Sequence, residues 1–193
     1  MHDLAERYAP KDPYLVIHWR METVDPEILE ECAHALVDVL TSILHDHTLA
    51  ENVTTVWFAS DYPYPIARRT ATNRRLAVAA KSGTFRDFEI RHEEAVDVLR
   101  SAFDQQGELD GWKLTDFAES IEDVRNVDHD LLADPGVLGI LDKLVSIEAN
   151  LFVGGSSRCA RKSSFTKQVI DGRQSEWNKS RQSRLRNVVD IFG

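Results

Sequence analysis

The chain has 193 residues, of which 42% are hydrophobic and 28% charged, a globular composition with enough apolar material for one core. A formal net charge of −9 argues against general nucleic-acid binding, which needs a broad positive face. The charge is uneven: residues 158–193 hold nine Lys/Arg against three Asp/Glu, and the remainder holds fourteen against twenty-nine, so a small anionic ligand suits the chain better than a polymer.

Residues 1–12 read as an N-terminal extension and 13–193 as a single domain. No stretch is long and apolar enough to insert in a membrane, and residues 1–13 lack the apolar centre of a signal peptide. Tyr14 to Trp19 is an apolar run after Pro13 and predicts a buried strand that delivers His18, Trp19 and Arg20 at its end. Asp25 and Pro26 start a helix whose Ile28, Leu29, Cys32, Leu36, Val39, Leu40 and Ile43 recur at helical spacing to about residue 46. Val53 to Ala59 predicts a second buried strand, closed by Ser60, Asp61 and a Tyr62-Pro63-Tyr64-Pro65 turn. Strand, helix, strand implies a right-handed parallel unit.

Further along come a basic, alanine-rich stretch from Arg68 to Lys81, a Ser82-Gly83-Thr84 break and a helix from about His92 to Phe103. Gly107 to Asp134 reads as mostly acidic loop. Asp134-Pro135-Gly136 opens a helix to about Ala149, and Leu151 to Val153 forms a brief strand that runs into Gly154-Gly155-Ser156-Ser157. After a basic patch, Ser163-Ser164-Phe165-Thr166 opens another helix. The alternation predicts an α/β fold, a doubly wound and mostly parallel sheet.

In such a sheet, ligands bind beyond the carboxyl ends of the strands. Those ends bring His18, Arg20 and Glu22 from the first strand, Asp61 from the second, and the Gly/Ser loop with Ser163 and Ser164 from the third. Arginine's planar fork engages phosphate through paired charge-assisted bonds, and a helix start at Ser163 or Ser164 adds N–H donors for the same anion. A diphosphate fits this set.

The same residues resemble those of the GDP-fucose protein O-fucosyltransferases and their α-1,6-fucosyltransferase relatives. Ile17-His18-Trp19-Arg20-Met21-Glu22 looks like that group's His-x-Arg strand end, and Phe58-Ala59-Ser60-Asp61 like its Ala-Thr-Asp strand end. Gly139-Ile140-Leu141-Asp142, then Ile147 to Gly154, then Ser163-Ser164-Phe165 resemble the aspartate-bearing helix, short strand and Ser-Ser-Phe element in the same order. The likeness covers roughly residues 13–172, with Ser156 to Lys162 standing as an insertion and Trp19 and Met21 unusual within the arginine motif. It implies the Rossmann-like C-terminal lobe of a GT-B glycosyltransferase, working without a bound metal or other cofactor, with the N-terminal lobe absent from this chain. It further implies that Arg20 binds the β-phosphate and stabilises departing GDP, that His18 and Asp142 contact guanine or its ribose, and that Ser163, Ser164 and Phe165 close around phosphates and fucose. The implied partners are the donor GDP-fucose and a protein or glycan acceptor, in the ER or Golgi, with no nucleic acid. The runner-up is a noncatalytic nucleotide-sugar-binding module.

Plainer readings stand beside these. Arg20 pairs with Glu22 in one, Asp61 caps its turn, His18 is a satisfied core histidine, and Ser163 and Ser164 simply cap a helix. Glu22 as a catalytic base suffers from its arginine neighbour, which lowers its basicity. His45 and His47 read as a solvated helix end. Arg68, Arg69, Arg74 and Arg75, with Arg173, Arg181, Arg184 and Arg186 in the tail, are the residues a nucleic-acid adaptor would use. Cys32, on the apolar helical stripe, reads as a buried structural thiol, and the two cysteines form neither a metal cluster nor a dense disulfide framework. Sequons at Asn52 and Asn178 leave a secretory route open.

Overall fold

The computed structural model describes residues 1–66, 85, 87–122, 134–160, 163–179 and 188–193. Arg68, Arg69, Arg74, Arg75, the Ser82-Gly83-Thr84 break, Arg181, Arg184 and Arg186 lie outside the described residues. Helix α1 spans His2–Tyr8 and strand β1 Tyr14–Trp19; a 3-10 turn at Pro26–Ile28 leads into α2, Leu29–Leu44. Strand β2 is Thr55–Ser60, α3 Ile90–Phe103, β3 Lys113–Thr115 and α4 Phe117–Glu122. Helix α5 is Pro135–Glu148, β4 Leu151–Gly155, α6 Ser164–Lys179 and β5 Val188–Phe192.

The five strands form one sheet in the order β3-β2-β1-β4-β5, every pairing parallel. Strand β1 therefore sits between β2, which follows it in the chain, and β4, which comes after the direction of winding has reversed. This is the strand order of a doubly wound, Rossmann-like sheet, with its switch point between β1 and β4. At that seam His18 lies opposite Gly154 in register.

Strand residues alternate between two apolar layers, as the period of two requires. Leu15, Ile17 and Trp19 face a core built with α2 and α3, and Tyr14 and Val16 face a second core built with α1, α5 and Val169 of α6. Capping follows the sequence: Asp25 accepts from Glu27 N–H, and Asp134 accepts from the N–H groups of Gly136 and Val137. Residues 1–12 belong to the fold, because Ala5, Tyr8 and Ala9 are buried in the second core.

Three expectations are corrected, and a strand the sequence did not announce is added. Residues 107–134 are not all loop: β3 adds to the edge of β2, Trp112 Nε1 donates to Val53 O at 3.0 Å, and Phe117 of α4 is buried against Tyr8 and Trp57. The basic tail ends in a fifth strand, whose Phe192 packs edge-on to Trp19 with ring centroids 5.7 Å apart. Cys32 is not a free thiol but is bonded to Cys159, joining α2 to the loop after β4. Arg173 is fully buried and donates to the carbonyls of Ser146, Ile147, Ala149 and Asn150, so it caps the end of α5 and offers nothing to a nucleic acid. Burial lowers its pKa to about 10, and it stays charged at neutral pH.

Candidate functional site

Beyond the carboxyl end of β4, residues 156–160 and Ser163 stand beside the first turn of α6. There a cavity of about 440 Å³ is lined by Gly155, Ser157, Ala160, Ser163, Ser164, Thr166, Lys167 and Ile170. Ser163 Oγ accepts from the N–H groups of Phe165 and Thr166 at 3.2 and 3.5 Å, which makes it the cap of α6. The α6 dipole favours an anion here, and Lys167, one turn on, adds a cation with no carboxylate partner among the described residues. Gly155 is needed at the strand end because a β-carbon there would lie 2.5 Å from Ala160 Cβ and 3.1 Å from Phe192 Cζ.

His18 projects to the same face as α6. Its ring stacks on Phe165 at 4.4 Å between centroids, and Nδ1 is hydrogen-bonded to Thr166 Oγ1 at 2.9 Å. Burial, assisted by the Arg20 charge, lowers its pKa to about 3, so the imidazole is neutral and positions the first turn of α6 rather than carrying a proton. The stacking of His18 and Phe165 joins two of the residues singled out from the sequence.

Beyond β1 and β2 the polar groups are turned on one another. Asp61 accepts from Met21 N at 2.8 Å and Glu22 N at 3.0 Å, pinning the chain as it leaves β1. Ser60 Oγ donates to Trp19 O at 2.6 Å and ties the two strand ends together. Arg20 Nε donates to Glu22 Oε1 at 2.9 Å, and Nη2 donates to the same oxygen. The Arg20 side chain is 32% exposed and that of Glu22 only 6%, so the fork is held by a largely buried carboxylate. Desolvation, reinforced by the Glu22 charge, raises the Asp61 pKa to about 6 against the opposing effect of its backbone N–H bonds and Arg20.

Asp142 stands apart from these groups. It is buried on α5 and accepts from Trp57 Nε1 at 3.2 Å. Trp57 lies three residues before the end of β2, roughly 10 Å back from that end at the rise of an extended strand. The geometry fits a carboxylate that fastens α5 to the sheet rather than one that reads a purine edge. Of the residues singled out from the sequence, Ser163 and Ser164 line the cavity, His18 and Phe165 pack beside it through Thr166, and Arg20, Asp61 and Asp142 are not among its lining residues. Gly155 belongs to the Gly/Ser loop that the sequence places at the third strand end, whereas Lys167 was not singled out. Lys167 stands three and four residues after Ser164 and Ser163, the helical spacing that shares a face, and that spacing was the available signal.

Among the described residues, no helix is long and apolar enough to cross a membrane. Comparison of the chain with protein-family models, with curated proteins and with solved structures gives no match in any of the three.

Proposed function

We propose that this chain binds a nucleotide-sugar donor beyond the carboxyl ends of β1 and β4, and that the donor is GDP-fucose. The observation that carries the reading is the cavity at the switch point, framed by Ser163, Ser164 and Lys167 at the N-terminal turn of α6. A diphosphate there meets the positive end of the α6 dipole, the Ser163 and Ser164 hydroxyls and the Lys167 ammonium, while Ile170 gives an apolar side for a sugar or ribose face. The order of His18, Arg20, Asp61 and Ser163-Ser164-Phe165 along the chain supports the fucosyltransferase resemblance and, with it, the C-terminal lobe of a GT-B enzyme.

On this reading the anion competes with Glu22 for Arg20, and the arginine turns from its intramolecular partner to the β-phosphate. Charge that grows on the departing GDP is then offset by a fixed cation, and the sugar carbon acquires oxocarbenium character before the hydroxyl of a protein or glycan attacks. His18 stays neutral throughout and keeps Thr166 and Phe165 in place. Asp142 remains with Trp57.

Titration calorimetry with GDP, GDP-fucose and ADP tests the donor. GDP and GDP-fucose are expected to bind and ADP to bind at least tenfold more weakly; equal or absent binding of all three overturns the assignment. A noncatalytic binding module is the second reading, favoured by the Arg20–Glu22 pair, which leaves the arginine engaged in the protein itself. Release of fucose, or its transfer, by this chain alone removes that reading.

A further inference from the structure

The cavity wall is held by a covalent bond far from it in sequence. Cys32 and Cys159 are 127 residues apart, and their disulfide fastens the loop of residues 156–160, just after β4, to α2. That loop supplies Ser157 and Ala160 to the cavity lining. Among the described residues its other polar ties toward α2 and β1 are two, and Ser156 N donates to Phe192 O of β5 at 3.0 Å. Trp19 Nε1 donates to Cys159 O at 3.0 Å, and Arg158 pairs with Glu31 at 2.6 Å, with side chains 54% and 61% exposed, so water and salt screen the pair.

The two ends of the disulfide differ in what else secures them. Helix α2 buries Leu29, Ala33, Leu36, Leu40 and Ile43 in the first core and stays docked without Cys32. In the loop, Ser157 and Arg158 are exposed, Ser156 is half-buried, and burial begins at Cys159 and Ala160. Segments with few buried contacts open at low cost, whereas packed strands open only with the whole fold. Loss of the bond therefore falls on the loop before it falls on the sheet.

We propose that oxidation of Cys32 and Cys159 completes the ligand cavity, and that reduction opens its wall while the sheet remains folded. The proposal rests on the reading of this cavity as the donor site. The step is a two-electron exchange with a disulfide-bearing oxidant, for which oxidised glutathione serves as the probe. One cysteine thiolate attacks the oxidant to form a mixed disulfide and expels a thiolate; the second cysteine thiolate then displaces the remaining half. The oxidant leaves as two thiols carrying the two protons given up by Cys32 and Cys159. In reverse, dithiothreitol supplies both electrons and protons and departs as its cyclic disulfide. Both sulfurs are buried, so reduction proceeds through opening of the loop.

The test compares the oxidised parent, the parent reduced with dithiothreitol, and Cys32→Ala/Cys159→Ala, reading amide hydrogen exchange peptide by peptide and GDP affinity by calorimetry. The expected result is that residues 156–166 lose at least tenfold in protection and GDP affinity drops at least tenfold, while β1 and α5 stay protected and circular dichroism is unchanged. Arg158→Ala, with the bond intact, is expected to keep both within about twofold. Unfolding of the whole sheet on loss of the bond overturns the proposal, because the disulfide is then a general staple. Unchanged exchange in the loop overturns it as well, as does an Arg158→Ala variant that loosens the loop as much as cysteine removal does. If the oxidised parent fails to bind GDP, the nucleotide reading fails, and exchange in the loop alone decides whether the bond holds the wall.

Discussion

At the carboxyl ends of β1 and β2, Asp61 takes the N–H groups of Met21 and Glu22, and Glu22 takes Arg20, so each charge already has a partner. On the β4–α6 side, Ser163 caps the helix, Ser164 and Lys167 line a cavity, and no carboxylate pairs with Lys167 among the described residues. The first wall is closed by its own chemistry. The second has its first-turn N–H groups of Phe165 and Thr166 capped by Ser163, and it presents Ser164 and Lys167 to the cavity. The difference teaches that residue type alone does not locate a phosphate site: the arginine, the stronger phosphate ligand in isolation, is the one committed elsewhere, and a ligand must outcompete Glu22 to use it.

The largest expected effect comes from undoing the closed wall. Asp61→Ala strands two backbone donors at the end of β1, and the loss is expected to be about 2 kcal/mol at pH 7.5 after the gain from removing a buried charge, measured by urea denaturation. The sign with pH is fixed by the raised carboxyl. Its pKa of about 6 in the fold exceeds the ordinary 3.8, so the native state holds the proton more tightly. The stability that Asp61 contributes is full below 3.8 and is lost as pH rises through 6. The parent's advantage over Asp61→Ala should therefore be larger at pH 4.5 than at pH 7.5; an advantage that grows with pH instead overturns the account of this wall.

Gly155→Ala strikes the open wall. Its new methyl collides with Ala160 Cβ at 2.5 Å and crowds Phe192, so the loop must move outward, at an expected cost of about 1.5 kcal/mol in thermal melting and with GDP binding lost. A variant that melts like the parent and binds GDP as well shows that the wall yields freely and that the cavity's shape is not specified by this contact.

Much of the scaffold was legible because parallel strands are buried on both faces and read as short apolar runs: Tyr14–Trp19, Thr55–Ser60 and Leu151–Gly155 all stand within two residues of their expected bounds. Asp25 and Asp134 announced their helices by capping chemistry that acts within three residues. The illegible parts depend on partners distant in sequence. Strand β3 is three residues long, begins with Lys113, and is a strand only because β2 offers it a ladder. Arg173 looks like any solvated tail arginine until the last turn of α5 and the two residues after it present four carbonyls to it. The Cys32–Cys159 bond has no local signal. At the site, the strand-end location of Arg20 and Asp61 followed from the sequence, but the direction in which each spends its hydrogen bonds did not. Nor did the burial of Asp142 against Trp57.

Arg20→Lys asks whether the closed wall takes part in binding. Lysine keeps the charge and loses the planar fork, so if Arg20 reaches the β-phosphate, GDP affinity should fall about tenfold, or about 1.4 kcal/mol, with thermal stability nearly unchanged. Any turnover should fall further, since leaving-group charge peaks in the transition state. A variant with the parent's melting temperature and the parent's affinity leaves Arg20 as the ion-pair partner of Glu22 and nothing more.

Glu22→Gln separates the two walls with the smallest change. Glutamine keeps the size of the side chain and an acceptor oxygen for Arg20 but removes the charge that holds the guanidinium, so the competition between Glu22 and a phosphate is relaxed. If Arg20 is recruited on binding, GDP should bind about threefold more tightly, roughly 0.7 kcal/mol, because less of the intramolecular pair has to be broken. If the β4–α6 wall alone holds the phosphates, the affinity should stay at the parent's value. The double variant Arg20→Lys/Glu22→Gln makes the reading secure: coupling between the two changes is expected when arginine and glutamate contend for one another in the free protein, and simple addition is expected when neither meets the ligand. Loosened affinity in Glu22→Gln alone, with the fold intact by circular dichroism, contradicts both outcomes and makes Glu22 the residue that positions Arg20 for the phosphate rather than the one that withholds it.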